Sequence, residues 1–409
     1  RVGSKYIAEA SVESIFSVDK NYAYYSGPID VYHVSGSDQY LNHPNNEYRD
    51  GTINEIVRRG SYTDLQYKID ALTQNTFALD YNTTFDPYYD LNIYNEYVTK
   101  GVNFKNGMIL NKTLNIEVND YTISGFNQAR IFDVSVNDVV LNNINFINAN
   151  ASSNGGALYV GKTGQDISKF TVTNCDFDNN TVTGTGEQNG KGAAITLDRV
   201  SGAVIENTTF TNGDASLNSG AIYARYGSGL YINNATFANN SARSNGGGAI
   251  RFYNHPDLLI NNSRFDNNSV ITDGGAIHGS SGSNNAKILN SNFTNNKGAG
   301  NGGALYWDSD NLNLTNGNFF DNSANNGGAI AINAANAVID KATFNGNNAT
   351  SSGGAILSNS AASSIKISNS KFNSNKVTGE GDTNSGGGAI FINSPNPTFN
   401  NLTFIDNSI

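Results

Sequence analysis

The sequence predicts an all-β protein, a parallel β-helix in which one short repeat coils about ten times. Three observations predict it: a phenylalanine that recurs every 25 to 33 residues, asparagines three residues to either side of it, and a Gly-Gly-Ala-Ile-like tetrapeptide after nine of the ten phenylalanines. The ten are Phe146, Phe177, Phe210, Phe237, Phe265, Phe293, Phe319, Phe344, Phe372 and Phe404. A period of this length is typical of an array whose units bury apolar surface only against their neighbours.

Each repeat begins with a short strand. Residues five and seven positions before the phenylalanine are nearly always apolar, as at Leu258 and Ile260, and this period of two predicts a strand. Asparagine tolerates left-handed backbone and bonds its own turn, so both asparagine columns are predicted to be corners. We expect ladders between coils, formed by Phe237, Phe265 and Phe293 inside, by Asn234, Asn262 and Asn290 at one corner, and by Asn240, Asn268 and Asn296 at the other.

The tetrapeptide begins a second strand. The residue types at its alternate positions predict which side chains face the core and which face solvent. Its Ile or Leu is always apolar and the residue two further on is mostly so, and this column includes Trp307. The residue between them varies and includes Arg251 and His278. Since charge belongs outside, the first set is predicted to face the core and the second to face solvent. Equivalent strands of successive repeats then pair in parallel, about 4.8 Å apart.

The chain divides into three parts by its pattern. Residues 1–60 are rich in tyrosine, carry no repeat and stay unassigned. Residues 61–140 are predicted to form an N-terminal cap and the first irregular coils, and 141–409 the repeat β-helix. The tenth unit stops before its tetrapeptide, so we expect a truncated repeat whose polypeptide continues beyond Ile409, or a second subunit that covers this end.

One helix is predicted, directly after the unassigned segment. Thr63 and Gln66 have the spacing of a capping box, and Leu65, Ile69 and Leu72 share one helical face. An array end exposes unpaired strand edges and an open core, and a short amphipathic helix can cover both. We therefore expect this helix to cap the array.

Composition excludes several classes of protein. The net charge of -10 and a pI near 4.8 argue against a nucleic-acid partner, which needs a basic surface. A single cysteine, Cys175, excludes an internal disulfide, and it is interpreted as a small residue at a tight corner. No stretch approaches the roughly 20 apolar residues of a membrane span. Neither a cofactor nor a metal site is predicted, and thirteen Asn-x-Ser/Thr sequons give weak support for a glycoprotein.

A candidate ligand-binding surface lies on the outward column of the second strand. It consists of Tyr223, Arg225, Arg251, Tyr253, His278, Tyr306 and Asp308, which fall on four consecutive coils. Aromatic rings that alternate with charged groups suit a glycan or a protein surface, and ordinary solvated strand residues are an equally good interpretation. Two similar insertions, 181–191 and 377–386, are a further place where specificity could reside.

Catalysis has little support in the sequence. Hydrolysis of a glycan needs two carboxylates roughly 5 to 9.5 Å apart. The nearest candidates are Asp308 and Asp310, which flank a strand end and are interpreted as a polar turn. Trp307 falls in the inward column of the second strand, so it is interpreted as a core residue and not as a ring that stacks on a sugar. We therefore predict a protein without catalytic residues.

The paired Gly-Gly-Ala-Ile and Phe-x-x-Asn motifs resemble the repeat of chlamydial-type polymorphic outer-membrane proteins. Four segments are similar to the adhesin-like surface proteins of methanogenic archaea, namely 61–66, 111–114, 128–132 and 141–146. This resemblance covers about 61–409 and implies a right-handed, single-stranded, pectin-lyase-like solenoid displayed outside the cell. It also implies attachment to other cells or surfaces and no catalytic residues, because the shared motifs are structural.

These observations lead to one functional expectation and two alternatives. We expect a secreted, cell-surface adhesin ectodomain that binds a surface glycan or protein of another cell. The first alternative is a viral or appendage receptor-binding spike, whose subunits would associate, so a homo-oligomer stays open. The second is a polysaccharide lyase or hydrolase, which would release sugar from its substrate.

Overall fold

The computed structural model describes residues 30–36, 51–57, 60–91, 95–118, 120–186, 189–333, 336–359, 364–379 and 386–409. In the first two ranges, strands Asp30–Gly36 and Gly51–Val57 pair as an antiparallel ribbon. The rest of the tyrosine-rich segment, and parts of both predicted insertions, lie outside the described residues. From residue 60 onward, helices occur only before the regular coils: an α-helix at Tyr62–Ala71, a short one at Glu96–Thr99 and a 3-10 turn at Phe104–Asn106.

The predicted helix is present, but its capping box is wrong. Ser61, not Thr63, is the N-cap, and its Oγ accepts the backbone N–H of Asp64 at 3.1 Å. Thr63 lies inside the first turn, where its N–H and its hydroxyl donate to the Asp90 carboxylate at 2.8 and 2.7 Å. The buried Asp90 carboxylate, which lies outside the helix, therefore satisfies the first-turn N–H of Thr63. The sequence pattern had assigned Thr63 to a local cap.

Gln66 instead covers a sheet edge. Its Oε1 accepts the N–H of Ile109 at 2.6 Å, and its Nε2 donates to the carbonyl of the same residue at 3.0 Å. Ile109 lies in Met108–Leu110, the edge strand of its sheet, so the amide side chain takes the place of a neighbouring strand. Leu65 and Ile69 are buried in the core beneath the helix. The helix thus covers the edge and the core at this end of the array.

The coils have four sides rather than the two strands that the sequence predicts. Each side is a parallel sheet to which each regular coil adds one strand. We number the sheets in the order in which the chain visits them, as in the coil Leu259–Asn261, Arg264–Asp266, Ser269–Val270 and Ile277–Ser280. The strands of sheets 2 and 3 are mostly two or three residues long, too short to show a clear alternation in the sequence.

Sheets 1 and 2 contain twelve strands each. Sheet 1 comprises Thr76–Leu79, Asn115–Val118, Val139–Asn142, Phe170–Thr173, Val204–Glu206, Tyr231–Asn233, Leu259–Asn261, Lys287–Leu289, Asn313–Thr315, Ala337–Asp340, Ile365–Ser368 and Thr398–Asn400. Sheet 2 comprises Thr83–Thr84, Thr122–Ser124, Asn145–Ile147, Asp176–Asp178, Thr209–Thr211, Thr236–Ala238, Arg264–Asp266, Asn292–Thr294, Asn318–Phe320, Thr343–Asn345, Lys371–Asn373 and Thr403–Ile405.

Sheets 3 and 4 contain nine and eleven strands. Sheet 3 comprises Asn150–Ala151, Thr181–Val182, Asp214–Ala215, Ser241–Ala242, Ser269–Val270, Lys297–Gly298, Ser323–Asn326, Asn348–Ser352 and Lys376–Val377. Sheet 4 comprises Met108–Leu110, Phe132–Val134, Leu158–Gly161, Ile195–Asp198, Ile222–Arg225, Ile250–Tyr253, Ile277–Ser280, Leu305–Trp307, Ile330–Ile332, Ile356–Ser358 and Ile390–Ile392. Two shorter strands, Ile167–Ser168 and Val200–Ser201, pair in parallel beside them.

The column phenylalanines lie at the centres of the sheet 2 strands and stack inside the solenoid. Phe237 and Phe265 have ring centroids 4.7 Å apart and planes within 3°, and Phe265 and Phe293 are also 4.7 Å apart. All three are fully buried. The spacing equals the distance between paired strands, so each ring rests on the equivalent ring of the coil before it.

The first asparagine column lies exposed at the corner between sheets 1 and 2. Asn234, Asn262 and Asn290 all have positive φ, from 48° to 50°, as expected for an asparagine corner. Asn234 Nδ2 donates to Asn207 Oδ1 of the same column at 2.8 Å, but Asn262 and Asn290 donate to Asn233 and Asn261 at the strand ends, at 3.4 and 2.9 Å. The predicted ladder is therefore interrupted at these two coils. Solvent reaches these bonds, so each contributes little to stability.

The second asparagine column differs from the prediction in its backbone. The left-handed residue at this corner is the one before the column, as at Asn239 and Asn267, with φ of 57° and 52°. The column residues themselves are buried, and Asn240 Nδ2 donates to Asn268 Oδ1 at 3.0 Å. Asn268 Nδ2 also donates to the carbonyl of Phe237 at 2.9 Å. This ladder therefore satisfies buried backbone groups at each coil that carries the asparagine, which leaves out the coils with Ala149 and Gly213.

The Gly-Gly pair turns the chain from sheet 3 into sheet 4. Gly247 has φ of +74°, which side chains rarely adopt, and Gly248 lies against the next coil, where a Cβ would come within 2.0 Å of the carbonyl oxygen of Gly275. The first glycine is needed for its backbone conformation and the second for close packing. Both requirements recur in the neighbouring coils and explain why the motif repeats.

Trp307 is fully buried in the inner column of sheet 4, in agreement with its parity. Its indole occupies the space left by Gly279 in the preceding coil, where a Cβ would lie 2.2 Å from the ring. Cys175 is buried at the corner between sheets 1 and 2, and its Sγ accepts the N–H of Ile144 at 3.5 Å. Burial raises the pKa of the Cys175 thiol to about 12, so it stays protonated and unreactive at neutral pH.

Candidate functional site

Four outward side chains of sheet 4 stand in one register column on consecutive coils. The pairing places Tyr223 beside Arg251, Arg251 beside His278, and His278 beside Tyr306. A second column follows at the strand ends, and together with its flanking residues it forms what we call the aromatic–cationic face. The face consists of Tyr159, Asp198, Arg199, Tyr223, Arg225, Tyr226, Arg251, Tyr253, His278, Tyr306 and Asp308.

The expectation that the whole column faces solvent is wrong for Tyr223 and His278. Their exposed fractions are only 3% and 7%. The turns that precede the Gly-Gly pairs fold over the outer surface of sheet 4 and cover these side chains. Gly246 lies so close to His278 that a Cβ on it would overlap the imidazole, and Lys191 lies over the Tyr223 ring at 5.3 Å. Tyr223 and His278 are therefore covered, whereas Arg251 and Tyr306 of the same column stay partly exposed.

Asp198 and Arg225 lie at the ends of their strands in the aromatic–cationic face and form an ion pair at 2.8 Å. The hydroxyl of Tyr159 also donates to Asp198, at 3.1 Å. Burial, together with the Asp198 charge, raises the pKa of Tyr159 to about 12, so the phenol stays protonated. Both partners of the pair are mostly buried, which fixes their positions.

Sequence reasoning missed Arg199 and Tyr226, which lie directly beyond the strand ends. Both have positive φ, 59° and 58°, a conformation unfavourable for large side chains. Arg199 and Arg225 lie over the Tyr226 ring at 5.6 and 5.5 Å, and the ring meets Tyr253 edge to face at 5.6 Å. Tyr226 is 44% exposed. Strand alternation gave no signal for it, since it lies past the strand.

Tyr306 and Asp308 lie at the other end of the face and are half-buried. The Tyr306 ring meets His278 edge to face at 4.8 Å, and burial with the charge of Asp308 raises the pKa of its phenol to about 12. Asp308 accepts a hydrogen bond from the Asn333 amide at 3.0 Å. Burial raises the pKa of Asp308, and the bond from Asn333 opposes that rise.

Arg251 lies at the centre of the face and is partly buried. Its Nε and Nη1 are shielded from solvent and have no hydrogen-bond partner in the described structure. Burial lowers the pKa of Arg251. Burial, with repulsion from Arg251, lowers the pKa of His278 well below its usual value, so the imidazole is neutral at pH 7.

Metal chemistry finds no support on the part of the chain that the structure describes. There, no group of three or more His, Cys, Asp and Glu side chains is placed to hold a metal ion. Within the same residues, no helix is long and apolar enough to cross a membrane.

The protein is a parallel β-solenoid, with stacked phenylalanines and a buried asparagine ladder inside. Its sheet 4 carries the aromatic–cationic face on the outside. The chain belongs to the right-handed β-helix family, whose model, described as right handed beta helix region, matches residues 106–320. Residues 341–359 match the Chlamydia polymorphic membrane protein repeat. No relative among curated proteins matches the chain.

Two solved structures illustrate the fold. One is the periplasmic alginate epimerase AlgG, at 10% identity over 71% of this chain and 77% of that one, with a TM-score of 0.42. Another is PfbA, a surface adhesin of Streptococcus pneumoniae, at 12% identity over 76% of this chain and 85% of that one, with a TM-score of 0.41.

Proposed function

We propose that this chain is a cell-surface adhesin ectodomain that attaches to a glycan of another cell through the aromatic–cationic face. One observation carries the proposal: partly exposed tyrosine rings and arginines share one outer face of a rigid sheet. Tyrosine rings cover the apolar faces of sugars, and guanidinium groups donate to hydroxyl and carboxylate oxygens. Because these side chains project from paired strands, the surface is held in place before a ligand arrives.

The proposal includes an extracellular location and the absence of catalysis. A repeat named for a membrane protein of Chlamydia supports the location. The carboxylates of the face support a non-catalytic role because each has partners: Asp198 binds Arg225 and Tyr159, and Asp308 binds Asn333. A glycosidase would instead need two carboxyl groups directed at one bond.

A glycan array with the purified chain tests the proposal, followed by affinity measurements on the best ligand. The double variant Tyr226→Ala, Tyr306→Ala should bind about 10- to 100-fold more weakly, because two ring contacts are lost. Its melting temperature should change little, since both rings are partly exposed. Tyr223 is unsuitable because it is buried.

The matched control is Tyr231→Ala, a half-buried tyrosine on sheet 1, outside the face. It should bind as the native chain does. Equal binding by the double variant and the native chain would overturn the proposed surface. Release of reducing sugar from the bound glycan would favour an enzyme, and a trimeric mass in solution would favour the receptor-binding spike.

A further inference from the structure

Arg251 is exceptional among the arginines that the structure describes. Six arginines lie in those ranges, and the other five each have a carboxylate within 4 Å. These five pairs are Arg130 with Asp133, Arg199 with Asp166, Arg225 with Asp198, Arg243 with Asp214, and Arg264 with Asp266. Arg251 has no such carboxylate, although it is more buried than most of them.

No carboxylate of the described residues pairs directly with Arg251. Asp273 is the acidic residue whose charge acts on it, from beyond ion-pair distance, and Asp273 Oδ1 accepts hydrogen bonds from the N–H and the Nδ2 of Asn301, at 2.7 and 2.9 Å. The flanking Tyr223 and Tyr253 offer phenol groups rather than a charge. A shielded guanidinium without a direct ion-pair partner is costly, and such a group is retained where it serves binding.

We propose that Arg251 is an anion subsite that takes the carboxylate of an acidic sugar residue. This inference rests on the proposed function and names the class of glycan. Arg251 is partly exposed and offers a planar fork that matches a carboxylate, and no group in the described ranges bonds its Nε or Nη1. Tyr306 lies two strands from Arg251, roughly 9.6 Å away, and its ring covers the next part of the chain of sugars.

Two features favour isolated carboxylates over a dense polyanion. Arg251 is the arginine of the face that has no carboxylate of the described residues within 4 Å, since Arg199 and Arg225 pair with Asp166 and Asp198. The chain carries a net charge of -10, which repels heavily sulfated or phosphorylated polymers. An oligosaccharide in which acidic and neutral sugars alternate meets both conditions, because one carboxylate reaches Arg251 while the neighbouring sugars contact tyrosine rings.

The test measures binding of an oligosaccharide of alternating glucuronic acid and N-acetylglucosamine, together with its carboxyl methyl ester, by calorimetry. The native chain should bind the acid, and the ester should bind about 10- to 100-fold more weakly, because a charge-assisted hydrogen bond is lost. Arg251→Met should weaken binding of the acid by the same factor. Its melting temperature should stay unchanged or rise, since a buried unpaired charge is replaced by an apolar chain.

The control is Arg264→Met, which removes an exposed arginine from sheet 2 and should leave binding unchanged. Equal binding of acid and ester, full binding by Arg251→Met, or no binding of the acid by the native chain would each overturn the subsite. Tighter binding of a glutamate peptide than of the acidic sugar would overturn the glycan as its source. Binding of neutral glycans alone would overturn the subsite but leave the proposed function standing, whereas binding of no glycan would overturn both.

Discussion

Asn268 holds Asn240 through two hydrogen bonds to one oxygen. The backbone N–H and the Nδ2 of Asn240 both donate to Asn268 Oδ1, at 3.1 and 3.0 Å. Asn268 Nδ2 in turn donates to the carbonyl of Phe237 and to Asn296 Oδ1, at 2.9 and 3.0 Å. One amide side chain thus connects residues of three coils in a place that solvent does not reach.

The substitution Asn268→Ala should therefore destabilise the chain by about 1–3 kcal/mol, because buried donors and acceptors lose their partners. Chemical denaturation of the variant and the native chain measures this difference. The matched substitution Asn284→Ala removes a half-buried amide that accepts a hydrogen bond from the N–H of Asp310 at the surface, and it should cost little. Equal destabilisation by the two changes would contradict the role of the buried ladder.

Gly279 and Trp307 should be coupled energetically. Gly279→Ala places a methyl group against the indole, where the ideal Cβ lies 2.2 Å from a ring carbon, and overpacking of this kind costs about 1–3 kcal/mol. Adding Trp307→Phe, which supplies a smaller ring, should recover part of the loss. A double-mutant cycle from thermal unfolding gives the coupling energy.

The control for this pair is Gly386→Ala, whose Cβ would meet Phe391 at an ordinary distance of 3.6 Å. It should change the melting temperature little. Additive effects of Gly279→Ala and Trp307→Phe would show that the two positions pack independently.

His255 should make stability depend on pH. It is fully buried, and burial lowers its pKa to about 4, whereas the unfolded chain binds the proton near 6.5. A lowered folded-state pKa means that stability is complete above pH 6.5 and is lost as pH falls toward 4. The loss attributable to His255 should reach roughly 3 kcal/mol near pH 4.

The measurement compares the native chain with His255→Leu across this range. Asp90 opposes the trend, because burial raises its pKa to about 6, and its contribution is lost as pH rises through that value. Both chains contain Asp90, so the difference between them isolates His255. A difference in unfolding free energy that does not vary between pH 6.5 and 4 would show that His255 does not titrate in this way.

The interior of the solenoid could be predicted because its signals recur in every coil. Phe265 and Asn268 each belong to a column of similar residues, so chance similarity was excluded by repetition. The number of sides could not be predicted in this way. Strands such as Ser269–Val270 are too short for alternation, and only the spatial pairing of coils identifies them.

The sequence predicted which side chains of sheet 4 point outward but not how deeply they are buried. Alternation showed that Tyr223 and His278 point outward, yet it carries no information on the turns that fold over them. Tyr226 lies past the strand end, where period-two reasoning stops, and its positive φ is visible only in the backbone. The lack of a direct ion-pair partner for Arg251 among the described residues likewise depends on side chains from several coils.

The strands of sheet 4 pair without a register shift along the face, so equivalent residues of neighbouring coils are separated by one strand, about 4.8 Å. A substitution changes the side chain at an outward position of sheet 4 but not the distance between equivalent positions, because the backbone sets that distance. The face is in this sense a molecular ruler. If the face binds a linear polymer as proposed, a polymer whose own repeat is commensurate with the coils would meet equivalent positions one after another, and the face would select ligands by their period as well as by their chemistry.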